Sequence, residues 1–596
     1  SMSVNTDYGK YSFSTDQWIA APKDPADLYT RMAYVRENHW KLTHLLNYNQ
    51  TFHKHDIGML LGFEEERFAK RTTDTAKLGL IDSSVGDPSS ATTPSSISGI
   101  NYAFDSRYLF EVNMRYDGSS RFAPDNRWGL FPSFSAGWRI SEEKFMKGLP
   151  IDNLKLRASW GKLGNNAIGN YEWQAVYNSA KYAFGGSLNN GLAITSISNN
   201  LLEWESTAIT NIGIDFATLR NRLTFEAEFY NKVTDGILYR PDMYMSLGTA
   251  SGPRQNIAEV TNRGIEMTLN WQDRIGKVEY RVSGNFAYNQ NKVSKYKGEL
   301  QRGWVTDENG NRVYQTNIGD VSTGGSTRVI EGKMINEYYM LQPYKGSGNG
   351  FNADGTVNIN GGPRDGMIRT VDDMKWLNAM VGAGYKFYPR QNVSKSGIWY
   401  GDYIYADLNG DGVYGNDADN EFQGCSNVPK YNFGLQASAN WKGFDFSMNW
   451  SGAAGFKIYY YRLALNSSAT IKGYAIGEAI ANDHYFFDPK NPNDPRTNLS
   501  SKNPRLTNNS GNDQSGMTQS SVHLQKGDYI KLKNLTIGYT LPAVLSKKVY
   551  AQNIRFFASG ENLFTITGYE GMDPEMRIAV GYSTMRQYAF GVNITF

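Results

Sequence analysis

Tyr588-Ala589-Phe590-Gly591-Val592-Asn593-Ile594-Thr595-Phe596 closes the sequence. Read as a strand, in which successive side chains point to opposite faces, Tyr588, Phe590, Val592, Ile594 and Phe596 lie on one side. Ala589, Gly591, Asn593 and Thr595 lie on the other. One face is apolar and the other is polar or small. A soluble sandwich turns such an apolar face inward. A transmembrane barrel turns it to lipid, keeps the polar face for the lumen, and ends its closing strand on an aromatic residue.

At 596 residues the sequence is too long for one sandwich and suits either several domains or one large barrel. Aromatic residues make up 14%, with 39 Tyr and 13 Trp, and 60 Gly favour turns and strands over helix. A mean hydropathy of -0.53, with no run of about 18 apolar residues, excludes a helical membrane protein. It is neutral toward a barrel, whose alternating strands dilute hydropathy. The single cysteine, Cys425, rules out an internal disulfide and a paired-cysteine redox or zinc module. Basic and acidic residues, 61 and 58, are interspersed to a net charge of +3, so there is no basic stripe and no nucleic acid is expected as partner. Ser1-Met2-Ser3 opens on no secretion signal, and the sequence is expected to be a fragment of something longer.

Working back from the terminal strand, the same alternation recurs in segments of roughly ten residues. Tyr108, Phe110, Val112, Met114 and Tyr116 alternate with Leu109, Glu111, Asn113, Arg115 and Asp117. Tyr431, Phe433, Leu435, Ala437, Ala439 and Trp441 alternate with Asn432, Gly434, Gln436, Ser438 and Asn440. About fifteen such segments run from near residue 40 to the end, and the gaps between them decide the architecture. Those at Asp105-Ser106, Leu219 to Asn221, Asp273 to Gly276 and Lys442-Gly443 are short, whereas 163-204, 298-397 and 458-528 are long. Short turns at one end and long loops at the other mark an outer-membrane barrel. The expected fold is therefore all-β, a transmembrane antiparallel barrel, in the bacterial outer membrane with lipid around it. Such barrels have an even number of strands, so an odd count places a further strand end at Tyr8 to Phe13. Residues 1-33 then hold that partial strand and an extracellular loop, and 34-596 the barrel.

The chain resembles the carboxyl-terminal part of SusC-like TonB-dependent transporters of Bacteroidetes. The resemblance rests on motifs in order. Arg107-Tyr108-Leu109-Phe110-Glu111 leads into Arg115-Tyr116-Asp117-Gly118-Ser119-Ser120-Arg121-Phe122 and Trp128-Gly129-Leu130-Phe131-Pro132-Ser133. Then come Leu154-Lys155-Leu156-Arg157-Ala158-Ser159-Trp160-Gly161, Thr210-Asn211-Ile212-Gly213-Ile214-Asp215-Phe216 and Asn262-Arg263-Gly264-Ile265-Glu266. Asp528-Tyr529-Ile530-Lys531-Leu532-Lys533-Asn534-Leu535 and Gly560-Glu561-Asn562-Leu563-Phe564 complete the set. The resemblance implies a barrel of about twenty-two strands, of which some 15-16 are present here, with the plug domain absent from this sequence. It further implies energy from TonB-ExbB-ExbD through an amino-terminal part outside these residues, and a SusD-like lipoprotein on the outer face. The implied cargo is an oligosaccharide; the alternatives are an oligopeptide, as in RagA-type importers, or a passive porin or structural barrel.

Candidate sites are few. Rings in long loops suit stacking on pyranose faces, which nominates Tyr171, Trp173, Tyr338, Tyr339 and Trp399 for substrate; the bland alternative is that such rings pack the loops together. Trp138, Trp271, Trp441 and Trp450, on strands, suit interfacial girdles. Asp407, Asn409 and Asp411, followed by Gly412, reproduce the opening of a calcium loop, although position twelve is Ala418, flanked by Asp417 and Asp419. A structural calcium ion is thus the one cofactor the sequence suggests, and none is required. No Cys-His or Gly-x-Ser-x-Gly arrangement supports nucleophilic catalysis, so no enzyme is expected.

Overall fold

The computed structural model describes residues 2-6, 12-14, 17-19, 29-78, 83-170, 172-239, 254-296, 302-306, 312-316, 327-328, 331-460, 478-506, 520-577, 582 and 584-596. Sixteen strands form one sheet whose order follows the chain. They are β1 (Met2–Thr6), β2 (Tyr29–Phe52), β3 (His55–Leu78), β4 (Ser83–Phe104), β5 (Tyr108–Gly118), β6 (Trp128–Arg139), β7 (Ile151–Asn165) and β8 (Glu205–Thr218). The series continues with β9 (Leu223–Tyr239), β10 (Gln255–Ile275), β11 (Val278–Tyr296), β12 (Tyr431–Trp441), β13 (Phe444–Ala454), β14 (Tyr529–Thr540), β15 (Asn553–Thr567) and β16 (Gln587–Thr595). Each of the fifteen segments expected from alternation is a strand. The sixteenth is not where Tyr8 to Phe13 placed it. Met2–Thr6 pairs with β2, while Phe13 sits in a separate small hairpin, Ser12–Ser14 against Gln17–Ile19; Tyr8 lies outside the described residues.

The short connections turn tightly because their residues adopt left-handed backbone. Asp105 and Ser106 have φ of 53°, Leu219, Arg220 and Asn221 lie between 58° and 62°, and Lys442-Gly443 has 46° and 91°. Such conformations match the right-handed twist of paired strands. At the other end β2 and β3 run for 24 residues each, about 80 Å at ~3.3 Å per residue, far beyond the roughly 9–11 residues a tilted strand needs to cross a bilayer.

The chain divides into two compact units, unit 1 comprising Ser1–Lys147, Lys155–Ile212 and Lys232–Glu259, and unit 2 the remainder. In unit 1 the register puts Tyr48, Met59, Ile100, Val112, Phe134 and Trp160 side by side on successive strands, each 39% to 50% exposed. One residue along, the opposite face reads Asn49, Gly58, Asn101, Glu111, Ser135 and Ser159. Near the short turns the apolar face ends in a ring of larger side chains, Phe52, His55, Phe104, Tyr108, Trp138 and Leu156. Phe104, Tyr108 and Trp138 stack in sequence at 6.4 and 6.5 Å. Glu143 accepts hydrogen bonds from the Tyr108 hydroxyl (2.6 Å), the Trp138 indole (3.1 Å) and Arg107 (2.9 Å). Rings with an apolar body and a polar tip held toward water are what a membrane interface selects.

Unit 2 repeats the design. Its apolar girdle is Val278, Trp441, Phe444, Tyr539, Phe556 and Val592, with Phe444 and Tyr539 at 4.6 Å. Its polar face carries Ser283, Gln436, Asn449, Asn534, Glu561 and Gln587 in one row. In β16, the apolar residues Tyr588, Phe590, Val592 and Ile594, with Phe596 just beyond, stand 49% to 83% exposed. The barrel reading of the terminal strand thus accounts for this face, since a soluble sandwich would bury it.

Candidate functional site

A barrel acts through its polar face and its loops. The polar face of unit 1 bounds a cavity of about 900 Å³, lined among others by Asn49, Asp56, Asn101, Glu111, Arg157 and Asn211. In unit 2 two smaller cavities of about 520 and 350 Å³ open on the polar face of β10 to β14. Five of the nine residues around the 520 Å³ cavity are charged, and amides and hydroxyls supply most of the polar lining of the other two. Such groups both donate and accept hydrogen bonds, as a polyhydroxylated solute requires.

The long loops of unit 2 are a different object. Residues 331-427 and 478-506 fold together around an aromatic core that includes Tyr344, Trp376, Phe387, Tyr403, Tyr405, Tyr414 and Tyr485. Within it, α1 (Val371–Gly382) starts at a reciprocal capping pair, Thr370 and Asp373, and delivers Trp376 to the centre. The indole N–H of Trp376 donates to the Asn358 carbonyl at 2.8 Å, and Tyr344 stacks on its ring at 5.2 Å. Gly362, at φ +70°, has to be glycine, because a Cβ there would stand 2.4 Å from the Trp376 ring. Two arginines bind the loops to each other. Arg369 donates to the carbonyls of Leu499 (2.6 Å) and Ser501 (2.8 Å), and Arg505 holds Asp402 through two bonds of 2.8 and 3.0 Å. Tyr485 and Tyr403 add hydroxyl bonds to the carbonyls of Arg369 and Lys502 at 2.6 and 2.8 Å.

Most of the nominated rings are packed within the structure, and among the described ones Trp399 alone lies against this core. Tyr338 is only 6% exposed, donates to the Lys457 carbonyl at 3.2 Å, and burial pushes its hydroxyl up to about 12. It cannot offer a face to a sugar, and the stacking role read from the sequence is withdrawn. Phe422 packs on the ring of Tyr339 at 4.9 Å, and Trp399 is half-buried against Tyr400 at 5.2 Å, so both serve loop packing in this structure. Trp173 is half-buried, and its indole N–H meets no acceptor among the described residues. Tyr171 lies outside the described residues. Among the described residues, no arrangement brings the nominated rings into one platform. Rings that the structure does leave open include those of the hairpin Val176–Phe184 and Ser187–Ser196, where Tyr177, Tyr182 and Phe184 are well exposed, and Tyr582.

The Asp407 loop closes on its own backbone. Asp407 accepts from the amides of Gly410 (2.6 Å) and Gly412 (2.9 Å), and Asp411 from Val413 (2.8 Å). The Asn409 side-chain oxygen Oδ1 accepts from the Asp411 backbone N–H at 3.0 Å. The residue that the ligand template misses by one position is Asp419. It is fully buried and accepts four backbone N–H groups, from Leu408 (2.7 Å), Asn409 (3.4 Å), Gly415 (2.8 Å) and Asn416 (3.1 Å). Burial raises its carboxyl to about 6 despite those donors. Among the described residues no group of three or more His, Cys, Asp or Glu side chains is placed to hold a metal ion. The geometry fits carboxylates satisfied by amides, and the calcium reading gains no support from it.

Comparison with known proteins places these features. A family model described as TonB dependent receptor-like, beta-barrel, matches residues 1–563. The TonB-dependent receptor P39 of Formosa agariphila is 29% identical over 600 residues, covering 92% of this chain and 52% of that protein. The TonB-dependent receptor SusC of Bacteroides thetaiotaomicron is 25% identical over 618 residues, covering 99% and 53%. The chain therefore spans about half the length of the curated relatives it matches. In fold it is similar to the solved RagAB peptide transporter, with a TM-score of 0.70 at 21% identity over 95% of this chain and 56% of that one.

Proposed function

The chain belongs to the TonB-dependent receptor-like β-barrel family of the outer membrane, and from that premise we propose that it forms the wall of an energised importer of oligosaccharides. In this reading the full-length protein draws on TonB-ExbB-ExbD through a part outside these residues, and a SusD-like lipoprotein covers its outer face. The observation that carries the cargo reading is the polar face of unit 2, where Ser283, Gln436, Asn449 and Asn534 stand as four neutral hydrogen-bonding groups in succession before the row reaches Glu561. Sugar hydroxyls pair with such groups without requiring either partner to lose a charge's hydration.

Uptake by cells expressing the full-length protein tests this. Labelled oligosaccharides should enter only with an intact energising system, and purification in mild detergent should bring down a lipoprotein with the barrel. Entry that persists after the energising proteins are deleted would mean a passive pore. Elution of the barrel alone, with both proteins overproduced, would remove the lid. An oligopeptide is the second cargo, favoured by the fold shared with the RagAB peptide transporter; competition between labelled peptide and sugar in the same cells separates the two.

A further inference from the structure

On the polar face of unit 2 one cation stands apart. Arg281, on β11, borders both the 520 Å³ and the 350 Å³ cavity. Its neighbours across the sheet are Ser438, Ser447 and Thr536, and the next row is Ser283, Gln436, Asn449 and Asn534. None of these is an acid; the second row reaches one only at Glu561 on β15, and Glu279 lies two residues from Arg281 on β11 itself. The acids that do line the larger cavity are engaged elsewhere: Asp273 receives Arg222 in two bonds of 3.0 Å, and Glu279 faces Arg274 at 3.7 Å. Further along the same face Asp445 is held by Arg555 at 2.8 Å. Arg281 itself makes no hydrogen bond or ion pair among the described residues. A guanidinium with five donors, flanked on β12 to β14 by neutral groups that hydrogen-bond but do not cancel charge, is arranged to receive a planar or tetrahedral oxyanion.

We infer that Arg281, with the hydroxyls and amides around it, binds an anionic oxygen group, carboxylate or sulfate, carried by the transported oligosaccharide. This deepens the importer reading and rests on it: the cargo class becomes acidic glycans. The neutral side chains take the sugar hydroxyls and the guanidinium takes the charge, so a neutral glycan of the same size forgoes the strongest bond the site offers.

The test is equilibrium binding to the detergent-solubilised full-length protein, using an oligogalacturonate, a sulfated galactan oligosaccharide and maltohexaose of matched length. Wild type should prefer one of the two charged probes, and which one it prefers distinguishes carboxylate from sulfate. Arg281→Gln should weaken that probe roughly ten- to a hundredfold, as loss of a charge-assisted hydrogen bond predicts, and leave maltohexaose unchanged. Arg281→Lys should recover part of the difference, because it restores the charge without the fork. Equal binding of neutral and charged sugars in wild type, or an unchanged ratio in Arg281→Gln, overturns the anion site and leaves glycan import standing. If no sugar binds but an acidic peptide does, and Arg281→Gln abolishes that, glycan import falls and the anion site stands. Unchanged mobility of unboiled Arg281→Gln on gels confirms that the barrel is folded.

Discussion

The wall and the loop body of unit 2 are made of the same residue types and are held together in opposite ways. In the wall, Tyr, Trp and Phe face outward in rows and the backbone ladder does the joining; in the loop body, Tyr344, Trp376, Phe387 and Tyr414 turn on one another and the backbone is irregular. The wall needs its rings to meet lipid. The loop body needs them to meet each other, as in any soluble core. Aromatic content therefore says nothing about where an aromatic goes; the period of the surrounding sequence does.

The largest effect should come from the loop body. Trp376→Ala removes a fully buried indole and its bond to Asn358, a change expected to cost about 3–5 kcal/mol. Limited proteolysis should then cut within 331-506 while the unboiled barrel keeps its gel mobility; loss of both together would show that wall and loop body are not separable. Next is a charge on the wall. Val112 lies four residues from Tyr108 in the girdle, about 13 Å, near the middle of an apolar band ~25 Å tall. Val112→Arg should lower folding stability in lipid by roughly 2–4 kcal/mol, while Ser135→Arg on the polar face should change it little. Urea titration in vesicles measures both, and equal losses would break the two-faced reading.

A smaller effect is expected from the link between loops. Arg369→Met leaves the carbonyls of Leu499 and Ser501 without their donor, at about 1–3 kcal/mol. Cleavage should concentrate in 478-506 and spare α1, an outcome readable by mass spectrometry. The smallest is a pair of opposing pH responses. His523 is buried and uncharged, its ring pushed down to about 4; the stability this gives is present above the unfolded value and is lost as pH falls from about 6.5 toward 4. Asp419 is raised to about 6, so its contribution is present below the unfolded value near 4 and is lost as pH rises through about 6. His523→Phe should leave a structure that acid steadies through Asp419, and Asp419→Asn one that acid weakens more steeply through His523. Melting curves at pH 4.5 and 7 check both, and parallel shifts in the two variants would contradict the assignment.

The wall was legible because lipid on one face and water on the other impose a two-residue period that nothing else in the chain imitates. Even there the first strand escaped notice: Met2–Thr6 has only Met2 and Val4 to alternate, too few to register. The loop body was illegible for the complementary reason. Its core gathers rings from Tyr344 to Tyr485, and an irregular path buries side chains at no fixed interval, so Trp399 read as a surface ring when it packs against that core. A local signal did exist. Gly362, Gly366, Gly401 and Gly415 all have φ between 70° and 84°, and each stands against Trp376, Tyr344, Tyr485 or Tyr405; glycines interspersed with aromatics mark tight packing. Asp419 was noted beside position twelve, but its role was not legible, because a ligand template asks what a carboxylate offers an ion whereas this one gathers backbone amides. Arg281 carried no signal in sequence, since what marks it is the neutrality of residues about 150 to 250 positions away.

The staple between residues 331-427 and 478-506 also bears on how such a protein can change over generations. The first of these segments lies between β11 and β12, and the second between β13 and β14, so the two are separated by a hairpin of wall, yet each completes the other's core. A recombination that imports one without the other strands Arg369 and Arg505 opposite foreign backbone. The heritable module is the stretch from β11 to β14 taken whole, and exchange of surface specificity between relatives should have its breakpoints outside it.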